Sequence, residues 1–275
     1  MSKYREILKS WETPFNQSQE DAWQKLEMKI SLQPAQQHKI IQFNWKPLVS
    51  VAAAAVVIIA LVIFWPTSQL IRVETAMKET KTVVLPDQSE VNMNAGTVMS
   101  YNGDWSKERT VQLDGQAFFN VEKGSKFTVV TSQGLVEVMG TSFDVLSRKD
   151  KFRVECRTGK VRVSLKSSKS EVMVVPGGVA ELNGKNLIIS NFDLALGDWQ
   201  IGEFMYKDEP LQNVLDELSR QFGIVLHANI SSDRLYTGRF NNVDLNKALE
   251  LVCLPMSLKF EVRGDHQVFI TELSR

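Results

Sequence analysis

The chain has 275 residues and carries 32 basic and 32 acidic side chains, so its formal net charge at pH 7 is +0. This balance argues against a dedicated nucleic-acid-binding protein, which would present a basic face to its ligand. Two cysteines, Cys156 and Cys253, are too few to hold a small disulfide scaffold together. We therefore expect both of them to be buried free thiols.

Residues 1–47 contain two short amphipathic patterns that predict helices. The first pattern ends before Pro14, and the second follows Ser18, which is placed as an N-cap. The apolar faces of these helices include Trp11, Trp23, Leu26 and Ile30. Helices this short are only marginally stable on their own, so their apolar faces need a partner to pack against. They either lie on a bilayer surface or on each other, or they form a docking segment that folds on a cytoplasmic protein.

Residues 48–65 form an apolar run, LVSVAAAAVVIIALVIFW, without a single charged side chain. With its flanking tryptophans the run is about 30 Å long as a helix, which matches the hydrocarbon core of a bilayer. A core helix of this length normally has a polar stripe, and a signal peptide lies closer to the start of a chain. We predict a transmembrane helix. Lys39 and Lys46 before it, against Arg72 after it, favour a cytoplasmic N-terminus.

Between residues 70 and 190 the apolar pattern changes to a period of two. Several runs of this kind follow one another, among them residues 127–131, 142–147, 152–156, 161–165 and 171–175. Glycine-containing turn signals such as Thr158-Gly159 and Asn183-Gly184 lie between the runs. Many short strands without intervening helices predict an antiparallel β-sandwich or β-roll, a fold that usually binds or scaffolds.

Residues 200–275 return to a mixed pattern. A helix opened by Pro210 and ended by Gly223 is followed by two strands, a second helix and two more strands. A pattern that begins at Phe204 recurs from Phe240, which suggests two related β-α-β halves of about 35 residues. We therefore predict a small α+β domain of the βαβ type, which is more often an interaction module than an active site. The whole chain is thus predicted to be an α+β membrane protein.

Residues suited to catalysis or metal binding are sparse beyond the apolar run. His227 and His266 are the only histidines there, which is too few for a histidine metal cluster, and no phosphate-binding loop or nucleophile elbow is present. Asp87, Asp114 and Asp144 are scattered over strand edges and turns, where solvated structural roles are common. The sequence therefore favours a binding protein over an enzyme and implies no metal or cofactor.

The β-rich segment carries a series of motifs in a fixed order. The motifs are LPDQSEV at 85–91, LDGQAFFNV at 113–121, VMGTSFDV at 138–145, GKVRV at 159–163 and PG at 176–177. Together they resemble the FecR-like family of membrane-anchored anti-sigma factors and sigma regulators. Gln88 stands where that family usually has glycine, and Gln116 replaces its glutamate. The C-terminal segment resembles the small domain related to the short N-terminal domain of secretins and TonB-dependent receptors.

The resemblance implies a signalling path across a bacterial inner membrane. Residues 1–47 would bind an extracytoplasmic-function sigma factor through Trp11, Trp23, Leu26 and Ile30. The segments 70–190 and 200–275 would lie in the periplasm and read the state of a TonB-dependent outer-membrane transducer. We place contacts with that transducer on exposed edges of the C-terminal domain, at Tyr236 and Phe240. The resemblance implies no direct contact with nucleic acid.

The dipeptide Gly140-Thr141 has two interpretations. Some members of the family are thought to cut themselves between a glycine and a threonine, and the Thr141 hydroxyl could attack the Gly140 carbonyl if a strained turn holds the peptide. Alternatively, Gly140 forms a bulge between two strands, and Thr141 faces a neighbour. No base or oxyanion donor is apparent near the dipeptide in the sequence.

A different class of function is a membrane-tethered periplasmic assembly or wall-binding scaffold with no role in transcription. Residues 1–47 discriminate between the two classes, because a pure scaffold has little use for two amphipathic helices on the cytoplasmic side.

Overall fold

The computed structural model describes residues 18–31, 59, 69–106, 108–149, 151–191, 198–231, 233–264 and 266–273. The chain divides into two compact units, residues 1–65 and 66–275. Over the described ranges no helix is both long and apolar enough to cross a membrane. The predicted transmembrane segment 48–65, Ile59 excepted, lies outside those ranges, as does Trp11.

The first unit contains helix α1 (Gln19–Ser31). Ser18 precedes the helix, and its Oγ accepts a hydrogen bond of 3.2 Å from the backbone N–H of Asp21. This is the predicted N-cap, and the acidic residues of the first turn, Glu20 and Asp21, favour the positive end of the helix dipole.

The second unit begins with a sheet of thirteen strands, which we call the β-domain (residues 70–191). The strands are β1 (Leu70–Glu74), β2 (Lys81–Val84), β3 (Glu90–Met93), β4 (Val98–Asn102), β5 (Arg109–Asn120), β6 (Phe127–Val130), β7 (Gly134–Val138), β8 (Ser142–Arg148), β9 (Lys151–Cys156), β10 (Val161–Leu165), β11 (Glu171–Val174), β12 (Gly178–Asn183) and β13 (Asn186–Asn191). The described part of the chain is therefore mostly β, with the alternating burial that the period of two predicts.

Strand β5 organises the β-domain because both halves of its length are paired. Its first half pairs with β4 and β6, and its second half pairs with β3 and β8. Gly115 lies where the pairing changes, with φ of 132°, and a β-carbon there would lie 2.5 Å from Thr97 Oγ1. Only glycine permits this approach, so Gly115 allows one strand to belong to both parts of the sheet.

Most neighbouring strands of the β-domain are antiparallel, as predicted, but β5 and β6 are parallel. The chain leaves the end of β5, returns to its beginning and places Phe127 beside Arg109. The inward side chains form one apolar core, in which the rings of Phe119 and Phe143 stack with centroids 5.1 Å apart. The sheet thus folds around a single interior, as a sandwich or roll does.

The C-terminal domain (residues 198–273) follows the predicted order of elements. It comprises a 3₁₀ turn (Trp199–Ile201), β14 (Glu203–Pro210), α2 (Leu211–Phe222), β15 (Val225–Asn229), β16 (Leu235–Asn241), α3 (Leu245–Cys253), a second 3₁₀ turn (Leu254–Met256), β17 (Leu258–Arg263) and β18 (Gln267–Glu272). Helix α2 ends at Gly223, whose φ of 64° is left-handed, as the sequence predicts.

Two small sheets enclose the helices of the C-terminal domain. Strands β14 and β16 form an antiparallel pair, and β18 lies between a parallel β15 and an antiparallel β17. The repeated phenylalanines of the two halves, Phe204 and Phe240, face each other in the β14–β16 register. Their side chains join the apolar face of α2 in a second core, separate from that of the β-domain.

Candidate functional site

Helix α1 presents an apolar face that no other residue of the described ranges covers. The side chains of Trp23, Leu26 and Ile30 are 65%, 50% and 66% exposed, and α1 contains no buried residue. Their spacing of three and four residues places them on one side of the helix, as the sequence predicts. Exposed side chains of this size on one face are typical of a surface that binds a partner.

The side chains of Tyr236 and Phe240 are not exposed, so this part of the sequence prediction is wrong. Each is 1% exposed. The Phe240 ring stacks on Phe204 at 4.9 Å, and the Tyr236 hydroxyl donates to the carbonyl oxygen of Leu251 at 3.2 Å. Alternate residues of β16 point towards helix α3, and these two occupy the inward positions. They hold the domain together and offer no contact surface in this structure.

Gly140 and Thr141 lie in the turn between β7 and β8. Gly140 has φ of 143°, and a β-carbon there would lie 2.7 Å from Lys123 Cγ. Thr141 is buried, and its hydroxyl donates to the carbonyl oxygen of Lys160 at 3.3 Å. Its own carbonyl oxygen accepts a hydrogen bond from Val121 N–H. The conformation is one that glycine favours, and the hydroxyl is engaged with a backbone carbonyl, not with a catalytic base.

A first polar network joins the β-domain to helix α2. Gln221 Nε2 donates to Asn94 Oδ1 at 2.8 Å and to Glu217 Oε1 at 2.8 Å. Arg220 forms an ion pair of 2.7 Å with Glu217. Burial acts to raise the pKa of Glu217, but the charges of Arg220 and Arg148 outweigh it, so this pKa lies below its usual value. Glu217 is therefore a buried carboxylate that needs both arginines.

Arg148, a residue of β8, contributes a second positive charge to this network. Its guanidinium donates to the carbonyl oxygens of Ala95 and Gly96, at 2.8 Å each. Burial lowers the pKa of Arg148 to about 10, and the charge of Glu217 opposes that decrease. The side chain thus links β8, the turn before β4 and, through its charge, helix α2.

A second polar contact joins the β-domain to the start of the C-terminal domain. Trp199 Nε1 donates to Asp144 Oδ2 at 2.8 Å, and Gln116 Nε2 donates to Asp144 Oδ1 at 3.0 Å. Asp144 lies directly across from Glu155 of β9. Burial, together with the charge of Glu155, raises the pKa of Asp144 to about 7. A carboxyl group with such a pKa changes its charge under physiological conditions.

Further polar pairs flank the two networks. Lys149 bridges to Asp216 at 2.9 Å, Lys151 to Glu209 at 2.6 Å, and Asn92 Nδ2 donates to Gln200 Oε1 at 3.2 Å. We call the whole contact the domain interface. The sequence alone does not predict this interface. An aspartate in a strand such as Asp144 is usually solvated, and only the tertiary structure brings Glu155 and Trp199 next to it.

The described residues contain no group of three or more side chains suited to hold a metal ion. Cys156 and Cys253 are both buried and free, as predicted. Burial raises the pKa of the Cys156 thiol and raises that of Cys253 to about 11, so neither thiol is poised to react.

Two models of known protein families match this chain. The model described as FecR protein matches residues 71–162, and the model described as FecR, C-terminal, matches residues 203–270. The two matches together cover more than half of the chain, in the same order as its two domains. No match is found among the curated proteins.

Solved structures provide a second comparison. Two crystal structures of a proposed anti-sigma factor from Parabacteroides distasonis ATCC 8503, at 2.50 Å and 1.65 Å resolution, are similar to this chain. Each is 27% identical to it, and the TM-scores are 0.69 and 0.68. The similarity covers 75% and 74% of this chain and 100% of the solved chains.

Proposed function

The chain belongs to the FecR family, and on this premise we propose that it is a sigma regulator which relays the state of a TonB-dependent outer-membrane transducer to an extracytoplasmic-function sigma factor. Residues 1–47 bind the sigma factor in the cytoplasm, and residues 48–65 cross the inner membrane once. The β-domain and the C-terminal domain lie in the periplasm. No direct contact with nucleic acid is required.

The exposed apolar face of α1 carries this proposal. Burying a side chain such as Trp23, Leu26 or Ile30 contributes about 1.5–3 kcal/mol, and all three are available on one helix face. A helix of 13 residues is marginal alone, so it becomes fully ordered when a partner covers that face. A helix that inserts its apolar side into a groove of a folded protein is a common recognition mode.

The signal requires that the transducer binds two states of this protein with different free energies. A single membrane-spanning helix transmits little force by itself. A change of association in the periplasm, passed on as a change in the availability of residues 1–47, is the simplest output that meets this requirement.

Binding of the sigma factor tests the proposal. The chain, purified in detergent, is titrated with extracytoplasmic-function sigma factors of the same organism. We expect the double substitution Trp23→Ala and Leu26→Ala to weaken binding by about 100-fold or more, because two anchors of the apolar face are lost. Lys25→Ala, on the opposite face of α1, is the matched control and should bind as the unchanged chain does.

Equal affinity of the double variant and the unchanged chain would contradict the assignment of α1 as the sigma-factor-binding helix. Retention of lipid alone, with no sigma factor bound at micromolar concentrations, would favour the periplasmic scaffold instead.

A further inference from the structure

Strand β15 is an edge of the three-stranded sheet in the C-terminal domain. Among the described residues it pairs with β18 alone. The N–H group of Val225 donates to the carbonyl oxygen of His266 at 2.7 Å. Because the main-chain groups of successive residues in a strand point to opposite sides, those of Leu226 and Ala228 point away from β18. Within the described ranges these groups have no hydrogen-bond partner, so they are free to bond a further strand.

A groove of about 410 Å³ lies beside this edge. Helix α2 lines it with Leu215 and Ser219, β15 lines it with Leu226 and Ala228, and Met77 of the β-domain also contributes. Four of the five residues of β15 are exposed, and the fifth is half-buried. The free edge is therefore accessible from solvent.

The other edges of the two C-terminal sheets carry features that oppose pairing with a further strand. Strand β14 is interrupted by a register shift and ends at Pro210, β16 has an exposed arginine, and β17 has three exposed charged side chains. Charges, prolines and bulges are the usual means by which proteins prevent association of sheet edges. Strand β15, with the sequence VLHAN, has none of them, and its register with β18 is unbroken. It is the edge of this domain best suited to strand pairing.

We propose that β15 pairs antiparallel with β15 of a second copy of this chain. A twofold axis at His227 aligns Leu226 of each copy with Ala228 of the other, and each aligned pair can exchange two main-chain hydrogen bonds. These are the residues whose main-chain groups point away from β18. The large side chain of Leu226 then lies opposite the small side chain of Ala228. The pairing joins the two three-stranded sheets into one continuous sheet.

The charge of this edge favours a second copy over a partner of different sequence. Strand β15 contains no lysine, arginine, aspartate or glutamate, so two copies meet without repulsion between such charges. Asp216, the charged residue that lines the groove, is ion-paired with Lys149 at 2.9 Å. The edge thus lacks the unpaired charges that select an acidic or a basic partner. Its hydrogen-bonding groups, by contrast, match those of an identical strand.

We expect the pairing to be weak and reversible. A strand of five residues buries less surface than the roughly 1,200–2,000 Å² that stable interfaces bury in total. Copies that share one membrane meet at a high effective concentration, at which a weak interface is sufficient. This last point rests on the proposed function, whereas the pairing of β15 itself requires neither a sigma factor nor residues 1–47.

Disulfide cross-linking of the chain in detergent tests the register. His227→Cys places a thiol at the twofold axis, where the two Cα atoms of a non-hydrogen-bonded pair are about 4.5 Å apart, within the range that a disulfide spans. Asn229→Cys is the matched control. It is exposed on the same face of the same strand, but its two copies lie about 13 Å apart along the strand. The native Cys156 and Cys253 are buried and should stay reduced.

With oxidised glutathione we expect His227→Cys to form disulfide-linked dimers at least about tenfold faster than Asn229→Cys, because only the first pair lies within disulfide range. A mixture of Val225→Cys and Asn229→Cys chains should give the mixed dimer, since the register places these positions opposite each other. Adding Ala228→Pro to His227→Cys should abolish fast cross-linking, because proline removes an N–H group that faces the second copy and none that bonds β18. Protection of Cys253 from iodoacetamide shows that this variant is folded.

Several results would overturn the pairing. Equal cross-linking rates of His227→Cys and Asn229→Cys would indicate random collision, and failure of the mixed dimer with Val225→Cys would contradict the register. Fast cross-linking that persists in Ala228→Pro, with Cys253 protected, would indicate contact through another surface. Absence of any dimer in His227→Cys would leave this edge to a strand of a different protein.

Discussion

An aromatic pair lies buried at the centre of each domain, whereas the contacts named between the domains are made by polar and charged side chains and by the N–H group of Trp199. Phe119 and Phe143 stack in the β-domain, and Phe204 and Phe240 stack in the C-terminal domain. Burial of apolar side chains stabilises a fold by a large free energy that does not depend on pH. In a buried polar contact, the cost of removing the polar groups from water nearly cancels the gain from their hydrogen bonds. Each domain should therefore fold on its own core, and the domain interface should contribute less to the free energy of folding than either core.

The largest loss of stability is expected when a substitution disrupts the core of the C-terminal domain. Phe240→Ala removes a fully buried ring that stacks on Phe204, and substitutions of this kind destabilise by about 3–5 kcal/mol. We expect the C-terminal domain to unfold at a lower temperature while the β-domain keeps its transition. Differential scanning calorimetry, with labelling of Cys253 and Cys156 as separate reporters, measures both.

Val243→Ala is the control for that experiment, because Val243 is exposed in the same domain and its truncation should change stability by less than about 0.5 kcal/mol. If Phe240→Ala instead shifts both transitions by the same amount, the two domains unfold as one cooperative unit, which would contradict independent folding of each domain.

The sequence was sufficient wherever local chemistry decides the structure. Gly223 ends α2 in a left-handed conformation, and Ser18 caps α1, because a helix terminus needs these residues whatever surrounds it. Tyr236 and Phe240 were misplaced for a different reason. A strand pattern shows which residues share a face, but only tertiary packing decides which face the helices cover. The Asp144–Trp199 contact joins residues 55 positions apart and could not be predicted from either neighbourhood.

A smaller loss of stability is expected from a substitution in the turn before β8. Thr141→Ala removes a buried hydroxyl that donates to the Lys160 carbonyl, which should cost the β-domain about 1–1.5 kcal/mol and leave the C-terminal transition unchanged. Thr141→Ser keeps the hydroxyl and should recover most of that loss. Calorimetry measures the change, and gel electrophoresis of the same samples should show one intact chain for every variant.

Self-cleavage would give a different pattern at this turn. Two fragments divided between Gly140 and Thr141, present in the unchanged chain and in Thr141→Ser but absent in Thr141→Ala, would contradict a purely structural role for the hydroxyl. The β-domain would then hold a reactive peptide bond.

The smallest expected effect is a gain in the stability of the β-domain from a substitution at Gln88. Gln88 closes the turn after Leu85 with φ of 69°, a left-handed conformation that a side chain disfavours, and this is the position where glycine is usual in the family motif. Gln88→Gly should relieve that strain and stabilise the β-domain by about 0.5–1 kcal/mol, which raises its melting temperature by a few degrees. Gln88→Ala keeps the β-carbon and should bring no gain. Because the turn makes none of the named contacts of the domain interface, the melting transition of the C-terminal domain should stay the same. A matching shift of that transition would mean that the two domains unfold as one cooperative unit.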